Sequence, residues 1–457
     1  MSDTPTGIAD LRPLERAREH RAWYWYDWAN SAYITTTAAV LFAPYLTTVA
    51  ERSVGCEVGE DAPKCVTDLH ILGLAISPGS LVFYLMTAAT ILSALVLPIV
   101  GAAADRSARK TTLLARYAWV GSIFAGLMFF VAGTNWQLGA VLLVGATICL
   151  GSSLVVYDAI LCEIATPDER DAVSSRGWAR GYLGGGILLA LNFGLLSVMD
   201  DTELAVRISL LSAAVWWAAF TIIPFRGIRN RPPVNVVPEH GGLARESFGQ
   251  LWATLKDLRN YPVTLTFLVG YLFYNDGIQT VIYAASVYGE KELGFEASTV
   301  LSAFLVVQFV GVAGALLFGR IAARLGARKV ILAGLGIWIL VVTAGYFAPE
   351  NNFPMFLLLA ASIGLVLGGT QALSRSFFSQ LIPRGREAEY FSLYQACERG
   401  TSWFGTLVFG LVHQWTDSYR PAIFALMAFF VVGGALLWRV DPRRGIAEAG
   451  NDAPAVV

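Results

Sequence analysis

Few side chains in this sequence set a charge among apolar neighbours, and those that do are the candidates for chemistry. Asp27, with Asn30 and Ser31 three and four positions on, lies near the start of the first long apolar run. Asn275, Asp276 and Gln279 sit near the middle of the seventh, Gln371 and Arg375 in the tenth, and Arg180 and Glu398-Arg399 several residues inside the fifth and eleventh. An ionisable group on an apolar helix costs roughly 2.5–3.5 kcal/mol on insertion scales, so it normally faces a partner or a watery cavity. A cation, an anion and amides in one cavity would hold the carboxylate and ammonium of an amino acid. Arg375 or Arg399, Asp27 or Asp276, and Asn30, Asn275, Gln279 and Gln371 supply that set. Burial and nearby cations move a carboxylate in opposite directions, so either aspartate could also take up and release a proton. Structural roles compete with these: Asp27 as an interfacial cap on its helix, and Arg180, Arg375 and Arg399 as ion pairs with Asp158 or Glu163 or as snorkelling side chains. Glu398 and Arg399 diverge by about 100° on a helix and are expected to serve different partners.

A glycine-plus-basic hairpin occurs twice, half a chain apart. The copies are Gly101 with Asp105, Arg106, Arg109 and Lys110, and Gly319 with Arg324, Arg328 and Lys329; each is the only strongly charged stretch between two long apolar runs. Arg180-Gly181 with Gly186 is echoed by Arg399-Gly400 with Gly405 at nearly the same offset. Internal duplication of a six-helix membrane bundle would produce this pattern, and that architecture belongs to carriers.

The elements that must position these residues follow from composition. With 457 residues, 55% hydrophobic, 15% charged and a mean hydropathy of +0.56, the chain is too apolar for a soluble protein and reads as an integral membrane protein. A hydrocarbon core about 30 Å thick needs roughly 20 apolar residues per helix. Twelve such runs begin near Trp23, Ser80, Thr111, Gln137, Val173, Leu204, Val263, Thr299, Val330, Phe353, Tyr390 and Pro421. The expected fold is all-α, with twelve transmembrane helices in two pseudo-symmetric six-helix bundles. Residues 1–22 read as a polar tail or an interfacial helix, 23–225 as the first bundle with a long loop at 51–77, 226–261 as a linker, 262–440 as the second bundle and 441–457 as a disordered tail.

Lysine and arginine fall almost entirely in the two tails and the even-numbered loops, which sets both termini on the cytoplasmic side of a multi-pass membrane protein. Spread as loop anchors, they leave no nucleic-acid footprint. The basic start runs into a span too long for a signal peptide and is expected to be retained. Trp23, Tyr24, Trp25, Tyr26 and Trp28 read as an interfacial belt. Glycines of the fifth, tenth and eleventh runs, such as Gly184, Gly368 and Gly405, allow close helix approach. Cys149, Cys162 and Cys397 read as small apolar fillers. Cys56 and Cys65 flank a polar, acidic stretch of the first loop on the external side, where a disulfide is a candidate alongside free thiols.

Other chemistries find little support. There is no phosphate-binding glycine-lysine loop, no metal spacing among His20, His70, His240 and His413, and no His-Glu-x-x-His pair. No enzyme activity, cofactor or metal is expected. The partners are a small-molecule substrate, the lipid bilayer and a coupling proton, with the chain acting as a monomer.

Several motifs resemble the major facilitator superfamily and, within it, the vacuole effluxer-like family of autophagy-related amino-acid exporters and their bacterial relatives. They are Tyr26-Asp27-Trp28-Ala29-Asn30-Ser31-Ala32-Tyr33, Arg176-Gly177-Trp178-Ala179 leading to Gly184-Gly185-Gly186, Tyr274-Asn275-Asp276-Gly277 through Tyr283, and Gly368-Gly369-Thr370-Gln371 through Ser376. The resemblance implies a secondary carrier that exports amino acids by rocking its halves about a midplane cavity. Proton-driven efflux of amphiphilic compounds and a non-transporting scaffold or sensor on the same fold are the alternatives. The repeated hairpin resembles the superfamily's loop motif, with Ala108 for the usual glycine in the first copy and Ala323 for the usual aspartate in the second. The first copy can therefore latch the bundles across the cytoplasmic face, or serve only as a topology anchor, whereas the second lacks the acid such a latch needs. Glu163 and Arg170 match a spacing at the end of the fourth helix in some facilitator carriers and suggest gating.

Overall fold

The computed structural model describes residues 13–58, 65–71, 73–234, 254, 256–400, 402–416 and 418–457. The glycine- and proline-rich stretch Pro238–Gly242 and the acidic residues Glu60 and Asp61 lie outside them. Ten segments are long and apolar enough to cross a membrane. Two more crossings carry polar residues at mid-length: Pro262–Val287, and the pair Glu387–Gly400 and Ser402–Thr416. The twelve spans form the two six-helix halves of an all-α membrane bundle.

The first span is one run of helix made of Pro13–Ala32, a π-helical stretch Tyr33–Leu41 and Phe42–Ser53. It begins ten residues before the apolar run, because the charged residues there have partners. Glu19 accepts hydrogen bonds from the Arg229 backbone at 3.0 Å and the Arg231 guanidinium at 2.5 Å, and the His20 ring meets the Ile164 carbonyl at 2.8 Å. Satisfied polar groups can be buried, so from Pro13 onward the helical alternative holds, packed against the first half. The aromatic cluster also departs from a belt: Trp23, Tyr24 and Tyr26 are buried, and Trp23 stacks on Tyr157 with centroids 4.2 Å apart.

Spans two to six are Leu81–Arg106, Lys110–Leu127, Trp136–Ile164, Arg170–Val198 and Thr202–Gly227. Spans eight to ten are Ala297–Leu325, Ala327–Tyr346 and Phe353–Gln380, and the twelfth comprises Tyr419–Ala425 and Met427–Arg439. Between spans one and two, Cys56 and Cys65 are joined by a disulfide, and Leu69–Ile71 pairs antiparallel with Leu74–Ile76.

The last residues are ordered rather than disordered. A short helix, Pro442–Glu448, is capped by the Asp441 carboxylate, and Asn451 donates to the carbonyls of Gln380 at 2.9 Å and Ile382 at 2.7 Å. The Ala455 backbone reaches Asp168 in the turn between spans four and five at 2.6 Å. Backbone groups that the tenth span leaves unpaired at its end supply the acceptors that fix this segment.

The halves meet through span five against eight and ten, and span eleven against two and four. Contacts between them gather at the end that bears both termini. At the opposite end the ion pairs Arg52–Glu203 (2.5 Å) and Arg420–Glu292 (2.9 Å) each close within one half.

Candidate functional site

Arg375, near the end of the tenth span, is buried between the halves and carries the largest polar assembly there. Its Nη2 meets Asp27 Oδ2 at 3.1 Å, its Nη1 meets Asp158 Oδ1 at 3.4 Å, and its Nε donates to Ser174 Oγ at 3.0 Å. The rings of Trp23, Tyr157 and Trp178 surround it, with the guanidinium carbon 4.8, 5.4 and 5.6 Å from their centroids. Tyr157 donates to Asp27 Oδ2 at 2.7 Å, and Gln395 donates to Asp158 Oδ2 at 2.8 Å. A delocalised cation with a planar fork of donors suits two carboxylates and three ring faces at once. Gly177 makes room: a Cβ there would strike Asp27 and the Trp23 ring.

Asp27 lies deep inside a helix that begins at Pro13, so it is no interfacial cap. Glu398 and Arg399 share Gln395 as a partner, while Glu398 alone also meets the Tyr271 hydroxyl. Gln395, three and four residues earlier, donates to Glu398 Oε2 at 3.2 Å and accepts from Arg399 Nε at 3.4 Å. An amide has both a donor and an acceptor end, so one side chain on the preceding turn reaches both.

A second polar patch adjoins this one. Gln371 donates to Asn275 Oδ1 at 2.8 Å, Asn275 donates to the Glu398 carbonyl at 3.1 Å, and Tyr274 shares a 2.7 Å hydrogen bond with Ser374. Asp276 turns elsewhere on the seventh span. Its Oδ2 accepts the Gly405 backbone N–H at 2.9 Å, near the start of Ser402–Thr416, while its Oδ1 and the Thr280 hydroxyl are buried without a hydrogen-bond partner. Asn30 donates to the Tyr26 carbonyl of its own helix at 2.8 Å, and Gln279 is half-buried. Asp27, Asp158 and Arg375 thus meet in one lattice with Gln395, Glu398 and Arg399 at its edge, and Asn275 and Gln371 lie beside it. Asn30, Asp276 and Gln279 do not join through the bonds they make.

At the end bearing the termini, Asp105 crosses between halves. Its two oxygens accept the backbone N–H groups of Ala388 and Glu389 at 2.9 and 2.8 Å, at the start of span eleven, where a carboxylate complements the helix dipole. Gly101 allows the approach, since a Cβ there would lie 2.5 Å from the Ala388 carbonyl oxygen. Lys110 ties Asp105 (3.6 Å) to Glu163 (2.6 Å). Arg109 is exposed, whereas Arg106 is half-buried. Arg170 donates to the Ser379 carbonyl of the other half at 2.7 Å. Arg180 lies over the Tyr24 ring at 4.6 Å. Arg386 binds Glu389 and Asp257 of the linker; burial alone would raise Asp257, but hydrogen bonds from Asn260 and Arg386 outweigh it and hold that carboxyl below its ordinary range.

In the second hairpin Gly319 packs on Ser175, Arg324 and Lys329 are exposed, and Arg328 donates to the Val440 carbonyl at the end of the twelfth span. Sequence reasoning missed Tyr157, Ser174, Trp178 and Gln395 as members of the lattice, and Asp171, whose Oδ1 accepts from Ser376 at 2.6 Å across the halves. The available signals were Tyr157 beside Asp158, and Gln395 one turn before Glu398.

Two pseudo-symmetric six-helix halves with a buried ionic lattice strung between them define a membrane transporter of the major facilitator type. The pattern of the family described as vacuole effluxer Atg22 like matches residues 15–450, and the chain belongs to that family. The uncharacterized MFS-type transporter YxiO of Bacillus subtilis is 28% identical over 96% of this chain and 98% of its own length. Autophagy-related protein 22 of Pyricularia oryzae is 25% identical over 98% of this chain and 79% of its own. Among solved structures, the proton:xylose symporter XylE bound to a bromodeoxyglucose aligns with a TM-score of 0.69 at 11% identity, covering 94% of this chain and 97% of that one. A bacterial homologue of the iron transporter ferroportin, in an outward-facing state, aligns at 0.65 and 15%, covering 94% and 99%. At these identities the structural likeness concerns the fold alone.

Proposed function

We propose that this chain is a secondary active carrier that exports small polar solutes, amino acids foremost, from the bacterial cytoplasm by alternating access. The observation that carries the reading is the lattice of Asp27, Asp158 and Arg375: charges from both halves, buried at the meeting of the bundles, beside the amides of Asn275 and Gln371. Paired charges with amides suit a zwitterion better than an amphiphile. Breaking one partner out of a buried pair costs about 3–5 kcal/mol, so the lattice opposes separation of the halves at that end until something replaces it. Loop charge bias sets that end in the cytoplasm, with both termini, and makes Asp105 a second latch there. Asp276, with one buried oxygen unpartnered, is the candidate proton carrier.

Uptake into proteoliposomes containing the purified full-length chain tests the reading, with a panel of labelled amino acids and an imposed pH gradient. Amino-acid flux that responds to the gradient in wild type and loses that response in Asp276→Asn is expected. Flux of no amino acid ends the substrate assignment, and flux equal with and without the gradient in both proteins ends the proton coupling.

A further inference from the structure

Arg375 comes from the second half, while every group that binds it through side chains comes from the first: Asp27 and Trp23 from span one, Tyr157 and Asp158 from span four, Ser174 and Trp178 from span five. The first half therefore holds a complete receptor for an organic cation, with two carboxylates for N–H donors and three aromatic faces for the delocalised charge. The guanidinium of its own chain fills it in this conformation. When the halves part at the end bearing the termini, Arg375 leaves with span ten. Two buried carboxylates then lose their partner while the rings stay in place on the first half.

We infer that the pocket of Asp27, Asp158, Trp23, Tyr157 and Trp178 is the substrate's cation site, and that it takes a guanidinium or alkylammonium group, as carried by basic amino acids and polyamines, in competition with Arg375. This rests on the carrier reading above and names its substrate class. Such a cation binds only the state from which Arg375 has withdrawn, and a ligand with that preference shifts the conformational balance toward it. Arg375, returning as that end closes, displaces the cation toward the opposite face, which is the direction of export. The internal arginine thereby couples release to closure without any further moving part. Glu398, held through Gln395 to Asp158, places one more carboxylate at the pocket's edge.

The test separates binding from transport. Thermal unfolding of the purified full-length chain is followed with agmatine, L-arginine, tetramethylammonium and L-citrulline, which is nearly isosteric with arginine but uncharged. Agmatine and arginine should raise the midpoint, and citrulline should bind roughly 30-fold or more weakly, the loss expected when a buried charge pair is truncated. Tetramethylammonium, lacking N–H donors, should fall between. Removing the competitor should strengthen binding: Arg375→Gln is expected to bind agmatine about tenfold or more tightly than wild type, since the fraction of competent molecules rises. Should Arg375→Gln fail to fold alone, rescue of its folding by agmatine is the equivalent result, and Arg375→Lys, a weaker plug, should show an intermediate gain. Equal shifts with agmatine and citrulline, or no gain in any folded Arg375 variant, overturn the inference. Counterflow of neutral amino acids that agmatine leaves untouched overturns it too, while leaving the carrier reading intact. Agmatine binding without amino-acid flux upholds the site and removes the amino-acid assignment instead.

Discussion

The two copies of the charged hairpin share their glycine and basic residues yet make different contacts. In the first, Gly101 lets the backbone of span two touch Ala388, and Asp105 holds the two N–H groups that open span eleven. In the second, Gly319 still allows close contact, with Ser175, but Ala323 occupies the acid's place and is exposed. The helix each hairpin faces explains the divergence. Span eleven opens on Pro383-Arg384-Gly385-Arg386, with no side chain suited to cap it, so its orphan N–H groups need an acid from outside. Span five opens on Thr166-Pro167-Asp168-Glu169, where Glu169 accepts from the Thr166 N–H and hydroxyl at 3.1 and 2.9 Å. The Thr166 carbonyl also accepts the N–H groups of Glu169 and Arg170 at 2.9 and 3.2 Å, so the turn that opens span five is satisfied locally, without an acid from across the interface. Here the hairpin that carries an acid is the one whose facing helix takes two N–H partners from across the interface.

This contrast can be broken in order of expected effect. Asp105→Ala should destabilise the closed end most, by about 1–3 kcal/mol, because two buried N–H groups lose their acceptor and Lys110 keeps only Glu163 of its two carboxylates. The buried native thiol of Cys162, which lies 3.9 Å from the Ser379 carbonyl of the other half, reports it: labelling by a soluble maleimide, read by peptide mass spectrometry, should rise several-fold. Gly101→Ala should come next, at about 1–2 kcal/mol, because its Cβ meets backbone. The Cβ of Gly319→Ala would lie 2.6 Å from Ser175 Cβ as well as 2.5 Å from its hydroxyl, and only the hydroxyl can turn away, so it should cost a comparable ~1–2 kcal/mol in thermal unfolding of the two variants side by side. Glu169→Ala should cost about 1 kcal/mol in the same unfolding measurement, because the Thr166 N–H and hydroxyl lose their acceptor in the turn before span five. Ala323→Asp should stay within about 0.5 kcal/mol of wild type, as an exposed substitution facing a satisfied helix; a large stabilisation would show that the second hairpin still wants its acid.

Much of the scaffold was legible in the chain. Apolar runs and paired hairpins gave spans and duplication, and the signature around Asp27 and Arg375 marked the tenth and first spans as special. The start of the first helix was not legible, because Glu19 and His20 look solvated until Arg231 and the Ile164 carbonyl are found beside them. The last segment looked disordered for the same reason, its acceptors lying at the end of span ten and in the turn before span five. Glu398 and Arg399 were separated by helical angle, a sound rule that misses a glutamine one turn back with an end for each.

The sequence by itself determined how often the chain crosses the bilayer and which few helices carry a charge, because hydropathy accumulates along neighbouring residues. Only the tertiary structure decided that Arg375 finds Asp27, 348 positions away, and that Asp276 does not join them. Such pairing depends on the rotation and depth of helices that share no sequence neighbourhood. In a medium of low dielectric, that placement decides whether a buried charge is a liability or a lock.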